Sequence, residues 1–152
     1  MAYVEARRAL DDQEAAVNDL RSRAGVLIAA AAVTTSFFGG AALADGHLGV
    51  AGWLAVVAFV VLGASVLAVL WPRHQWAFNV DAREYIETYL EPDDSEALDV
   101  PAIHRDLALH MAESFRANRR HLRSLLSTFR LAAALLIVEV SAWVAALIAQ
   151  GN

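Results

Sequence analysis

The sequence predicts an all-α integral membrane protein with three transmembrane helices, a tight hairpin plus a third span, and a cytoplasmic helical stalk. Three observations predict it. Two stretches, Ala24–Ala44 and Leu48–Trp71, contain no Asp, Glu, Lys or Arg, and about 20 apolar residues are enough to cross the ~30 Å hydrocarbon core as a helix. The chain is 58% hydrophobic with a mean hydropathy of +0.43, more apolar than a soluble domain of this length. With three spans, all twelve basic residues, every one an arginine, fall on one side of the membrane.

The elements follow in order. In residues 1–23 the seam Ala6, Leu10, Gln13, Val17 and Leu20 recurs at spacings of three and four, which predicts a cytoplasmic helix with one buried stripe. No Pro or Gly separates it from the first span, 24–44, so it is expected to run straight on into the membrane. Small residues recur at every fourth place there (Ala32, Ser36, Gly40, Ala44), and the second span has Ala51, Ala55 and Gly63; such faces let helices approach closely in lipid. Ala42-Leu43-Ala44 also reads as a signal-peptidase site, but acidic residues precede the apolar run and another span follows at once. Asp45-Gly46-His47 is left as a tight turn, making the first two spans antiparallel. Trp53 and Trp71 lie near the two ends of the second span, 48–71, where aromatic belts sit, and Pro72 stops that helix.

Residues 73–130 form the rest of the cytoplasmic region. WAFNVDAREYIETYL (76–90) predicts an amphipathic helix capped by Asn79 or Asp81, and EPDDSEALDVP (91–101) a loop. From Ala102 to Ala149 there is no Pro or Gly. The seam Ala108, Met111, Phe115, Asn118, Leu122, Leu125 and Phe129 alternates spacings of three and four, a heptad pattern in which a polar Asn118 sets register or oligomer state. These positions are the expected oligomer seam, and the N-terminal helix is expected to pack beside this one. The helix then continues into the third span, 131–149. Four arginines precede the first span and eight lie between the second and third, so the positive-inside rule places the N-terminus in the cytoplasm and the C-terminus outside.

Composition also excludes. A formal net charge of -5 argues against a nucleic-acid polymer as partner, and the lack of cysteine removes disulfides and thiolate metal sites. His104-Arg105-Asp106-Leu107 spells the opening of a kinase catalytic loop, but Met111 stands where that loop needs Asn, and neither a glycine-rich loop nor a DFG motif exists. Asp106, His110 and Glu113 share a helix face at metal-ligand spacing, a pattern that charged helices produce routinely. No catalytic or metal site and no cofactor is expected. In RANRRHLR (116–123), Arg116, Arg119, Arg120 and Arg123 have two readings: contact with anionic headgroups, or an anion site for a phosphate-bearing ligand.

Glu139 is the exception inside LAAALLIVEVSAWVAALIAQ (131–150). It falls close to the midplane, where an exposed charge costs ~3 kcal/mol or more, so it is expected to face protein or water. Thr34 and Thr35 lie at the same depth in the first span and are its natural partners. Three readings stand: a neutral carboxyl bonded to Thr34 or Thr35, the lining of a polar path shared by several subunits, or a proton relay.

Taken together, LRSRAGVLIA (20–29) leading into a span, a hairpin closing at LAVLWPR (67–73), and DLALHMAESFRANRRHLRS (106–124) leading into a last span resemble the transmembrane effector domain of Pycsar antiphage systems and related bacterial conflict systems. The resemblance covers about residues 5–149 and lies in the architecture. It implies an inner-membrane protein that answers a cyclic nucleotide, made by a partner cyclase on phage infection, by oligomerising and impairing the membrane, so that the infected cell stops growing or dies. The sequence has no recognisable cyclic-nucleotide-binding domain, so a ligand site would lie in residues 73–130. The expected protein is therefore a non-enzymatic, homo-oligomeric defence effector of the cell inner membrane. The alternative is a membrane scaffold or assembly subunit that recruits a cytoplasmic partner through its stalk without forming a pore.

Overall fold

The computed structural model describes residues 2–43, 48–71 and 100–150; the expected turn at 45–47, the helix at 76–90 and most of the loop at 91–101 lie outside them. The described chain is entirely helical: α1 (Ala2–Ala42), α2 (Val50–Leu70) and α3 (Val100–Gln150). All three are long and apolar enough to cross a membrane. α1 is one unbroken helix of 41 residues, as the absence of a breaker before the first span requires. α3 begins two residues earlier than the proline pattern suggests, with Pro101 inside its first turn. That position tolerates proline because the first amides of a helix have no intrahelical acceptor to lose. α2 stops at Leu70, and Trp71, the residue before Pro72, is extended (φ -55°, ψ 125°). Clash with the proline ring drives a preceding residue out of the helical region.

The chain divides into two compact units, one of residues 1–18 and 73–123, the other of residues 19–72 and 124–152. In the first, α1 buries Leu10, Gln13 and Val17, while α3 buries Met111 and Asn118 and half-buries Ala108, Phe115 and Leu122. Tyr3 lies beside His104, with ring centroids 5.7 Å apart, and Gln13 Nε2 donates to the Phe115 carbonyl at 3.2 Å. Numbering rises together on the two helices, so they run parallel. The part of the expected oligomer seam that lies in this unit thus closes on α1 of the same chain.

In the second unit each helix buries one stripe. α1 contributes Leu20, Ala24, Ala31 and Ala42; α2 contributes Ala55, Ala58, Leu62, Ser65, Val66 and Val69; α3 contributes Leu125, Ala132, Glu139, Ala142, Trp143 and Ala146. Ala42 and Ala55 share one cluster, and farther along α1 and α2 Ile28 lies against Gly63. Numbering falls on one helix as it rises on the other, which makes the pair antiparallel. The buried residues are mostly small and the outward ones large: Val33 is 70% exposed, Phe37 73%, Leu67 63% and Ile137 69%. In water such a surface would be an aggregation hazard. In lipid it has no such cost, and small residues at the contacts let dispersion hold the helices together.

The small-residue stripes of the two spans behave differently. Ala55 and Gly63 of α2 are packed within the unit. Ala32, Ser36 and Gly40 of α1 are exposed, and the buried line is Ala31, Gly39 and Ala42 instead. In an alanine-rich helix both lines consist of small residues, and they differ by a rotation of one residue, about 100°.

Candidate functional site at Glu139

Glu139 lies on α3 at the fully buried position reached in seven-residue steps from Leu125 through Ala132. Seven residues are nearly two helical turns, so the face is kept. Opposite stands Thr35 on α1. Its hydroxyl donates to Glu139 Oε1 at 2.5 Å, and its oxygen accepts from the indole Nε1 of Trp143 at 3.4 Å. Three polar groups therefore form a directed chain from indole to hydroxyl to carboxyl. Thr34 is half-buried and makes no bond to Glu139, so the structure selects the second of the two expected threonines.

Each member is placed by helix periodicity. Trp143 follows Glu139 by four residues and so sits one turn beyond it on the same face. On α1, Gly39 follows Thr35 by four. Without a side chain, Gly39 leaves the space that the indole fills; a Cβ there would lie 3.3 Å from Trp143 Cη2 and Cζ2. Trp143 is 1% exposed and belongs to a cluster with Ala42, Ala55, Ala142 and Ala146. Beyond it, Gln150 Nε2 donates to the Ala42 carbonyl at 2.8 Å, satisfying one of the acceptors that the end of α1 leaves open. Trp143, Gly39 and Gln150 are absent from the sequence-derived site, although the large–small pair at matching turns was there to be read.

The carboxyl is incompletely satisfied. Glu139 Oε2 has no hydrogen-bond partner among the described residues. Two other hydroxyls of the spans are satisfied within their own helix: Ser65 bonds the Val61 carbonyl and Ser141 the Ile137 carbonyl, each at 2.8 Å and one turn back. Back-bonding of this kind is how hydroxyls are accommodated in a helix that faces lipid. A buried oxygen left without a partner costs about 1–3 kcal/mol.

The other sequence candidates fall elsewhere. Arg116, Arg119, Arg120 and Arg123 are exposed on α3 and, among the described residues, make no ion pair or side-chain hydrogen bond. His104, Arg105 and Asp106 stand on an early turn of α3, not in a loop. Among the described residues no group of three His, Cys, Asp or Glu could hold a metal ion. Within the first unit, Tyr3, Val4, His104, Arg105, Leu109 and Ala112 line an open groove of about 720 Å³. Asn118 and Leu125 of the expected seam are fully buried, and Phe129 half-buried. No family model, curated protein or solved structure matches the chain.

Proposed function

We propose that the protein is a membrane effector of the kind that the Pycsar resemblance implies. It sits in the bacterial inner membrane as three spans, N-terminus in the cytoplasm and C-terminus outside, assembles with copies of itself, and impairs the membrane when a nucleotide-linked defence signal arrives. The observation that carries this reading is the carboxyl of Glu139, fully buried between two span-length helices with one oxygen unpartnered. A purely structural pin would gain by satisfying both oxygens or by being apolar. An unsatisfied group held by packing favours any rearrangement that supplies a partner or water. On this reading the packed arrangement is the resting state, and separation of α1 from α3 puts Glu139 on a polar path. No enzymatic step and no cofactor is invoked; a cyclic nucleotide would act as the signal.

The test is inducible expression in bacteria carrying a membrane-potential dye, with and without cyclic nucleotides supplied by a co-expressed cyclase. The expected result is depolarisation on signalling, with Glu139→Gln accumulating in membranes at the normal level but depolarising weakly. Full depolarisation by the Gln variant contradicts the role given to the carboxyl.

A scaffold that recruits a partner without opening the membrane is the second reading. The groove lined by Tyr3 and His104, whose tilted rings lie beside each other, and by Arg105 favours it. In that case expression leaves the membrane potential untouched whatever residue stands at 139.

A further inference from the structure

We propose that a groove between α1 and α3, at the Arg23 end of the second unit, binds one phospholipid with a zwitterionic ethanolamine head. The proposal rests on the membrane reading, which sets this end of the spans in the inner leaflet. The groove has a volume of about 410 Å³ and lies wholly within the second unit, a size usual for ligand sites. Ser22 and Arg23 form its polar end. Val26, Leu27 and Ala30 continue it along α1, and Phe129 and Leu136 line it from α3. Leu27, Phe129 and Leu136 are half-buried, whereas Val26 and Ala30 are exposed.

Its two ends fall at the heights a lipid needs. Arg23 is the last charged residue before the charge-free run that begins at Ala24, so it stands where hydrocarbon meets headgroups. The Thr35–Glu139 bond sets an offset of 104 residues between the parallel helices, which puts Leu136 level with Ala32. From Arg23 to that level is nine residues, about 14 Å of helix. One leaflet supplies about 15 Å of hydrocarbon. The groove therefore has the depth of one acyl layer, and it ends short of Glu139.

The charges at the mouth select the head. Arg23 Nε lies 2.9 Å from Asp19 Oδ2, and both side chains are largely exposed. One cation and one anion thus stand together there. The other charged groups near this height face elsewhere. Arg21 is two residues from Arg23, about 200° round α1. Arg123 and Arg130 are turned by about 120° and 100° from Phe129 around α3, and α2 has no charged residue. An anionic head would add a second negative charge beside Asp19, with one cation to share. A phosphoethanolamine head brings a phosphate for Arg23 and an ammonium for Asp19, so each charge gains an opposite. The phosphate accepts from the terminal guanidinium nitrogens, which the Asp19 contact at Nε leaves open. It also accepts from the Ser22 hydroxyl, which makes no other bond among the described residues. A choline head carries the same charges but has no N–H to give Asp19. A groove on α1 lined by Ala32, Val33, Ser36 and Phe37 has no charged residue and offers no such contact.

For the test, the full chain in mild detergent is mixed with equal amounts of phosphatidylethanolamine, phosphatidylcholine and phosphatidylglycerol carrying the same acyl chains, and read by native mass spectrometry. The expected result is a one-to-one adduct in which phosphatidylethanolamine exceeds each of the others at least about fivefold. Arg23→Gln is expected to lower that adduct at least about fivefold. Asp19→Asn should move the preference to phosphatidylglycerol, and Leu136→Trp, which fills the groove, should lower all three adducts. Arg7→Gln, outside the second unit, should change nothing. Glycerophosphoethanolamine, the same head without acyl chains, should not compete. Equal retention of the three lipids, or a preference of the unaltered chain for either of the other two, overturns the proposal. So does a phosphatidylethanolamine adduct unmoved by Arg23→Gln and Asp19→Asn, or one displaced by the free head. Carbonate extraction of the source membranes separates two failures. Protein retained in the pellet that shows no selective adduct refutes the groove alone, and protein released by carbonate refutes the membrane reading with it.

Discussion

Asn118 and Glu139 occupy the same register of α3, three heptads apart, and both are fully buried. Their surroundings are opposite. Around Asn118 the outward positions of α3 are Arg116, Arg119 and Arg120, and the seam faces are apolar apart from Gln13. Around Glu139 the outward positions are Ile137, Val138 and Val144, and the seam is built mainly of alanine, Gly39, Thr35 and one indole. The first arrangement is what water selects: long apolar side chains inward, charge outward, and one polar residue to fix register. The second is what lipid selects: small residues inward, so that dispersion replaces the missing hydrophobic drive, and large apolar ones outward. On the proposed insertion the first unit faces water and the second faces lipid, and the same kind of device, a polar group in the seam, has different consequences in each. In water a polar group in the seam competes with solvent; in lipid its only competitors would be other protein groups, so an unsatisfied oxygen would keep its cost.

The largest expected effect breaks the lipid seam. Trp143→Ala removes the indole that fills the Gly39 notch, and is expected to lower unfolding free energy in mixed micelles by about 3–5 kcal/mol, the usual range for emptying a packed aromatic site. Thr35→Val comes next. It takes from Glu139 Oε1 its only donor among the described residues, and from Trp143 Nε1 its acceptor, for an expected loss of about 1–3 kcal/mol. Combining it with Glu139→Leu should cancel most of that loss, because no buried carboxyl then remains to be satisfied; additive losses in the cycle would show that the two side chains are not coupled. The smallest effect falls on the aqueous seam. Asn118→Leu is expected to stabilise the detergent-solubilised protein by about 1 kcal/mol while broadening its mass distribution, since a polar seam residue trades stability for register. A thermal melt at lower temperature with an unchanged mass would mean that Asn118 is held by bonds worth more than the apolar contact.

Much of this was legible because the two periodicities are strong. The 3-and-4 spacing of Ala6, Leu10, Gln13, Val17 and Leu20 marks the buried stripe of α1, and Met111 to Phe129 marks that of α3. Glu139 and the Thr34–Thr35 pair each lie near the middle of a long apolar run, so their matching depth is visible in the sequence. Choosing between the threonines required the rotation of α1, and an alanine-rich span hides it: the line Ala32, Ser36, Gly40 is as small as the line Ala31, Thr35, Gly39. The indole was missed for a related reason. Trp143 lies away from both ends of its span, so the aromatic-belt rule does not apply to it, and only its spacing of four from Glu139 links it to the site. The parallel pairing within each unit follows from topology once three crossings are accepted, whereas the side of α3 that α1 covers is a matter of packing that one sequence does not display.

The number of crossings can be measured directly. A phosphatase-type reporter fused after Asn152, in a strain that also reports cytoplasmic fusions, reads whether the chain crosses the membrane an odd or an even number of times. Three spans with a cytoplasmic N-terminus require the phosphatase to be active in the periplasm and the cytoplasmic-type reporter to be silent. An active cytoplasmic-type reporter at that site, with the protein resistant to carbonate extraction, would mean that α3 does not cross, and that Glu139 is buried in something other than a membrane-spanning pair.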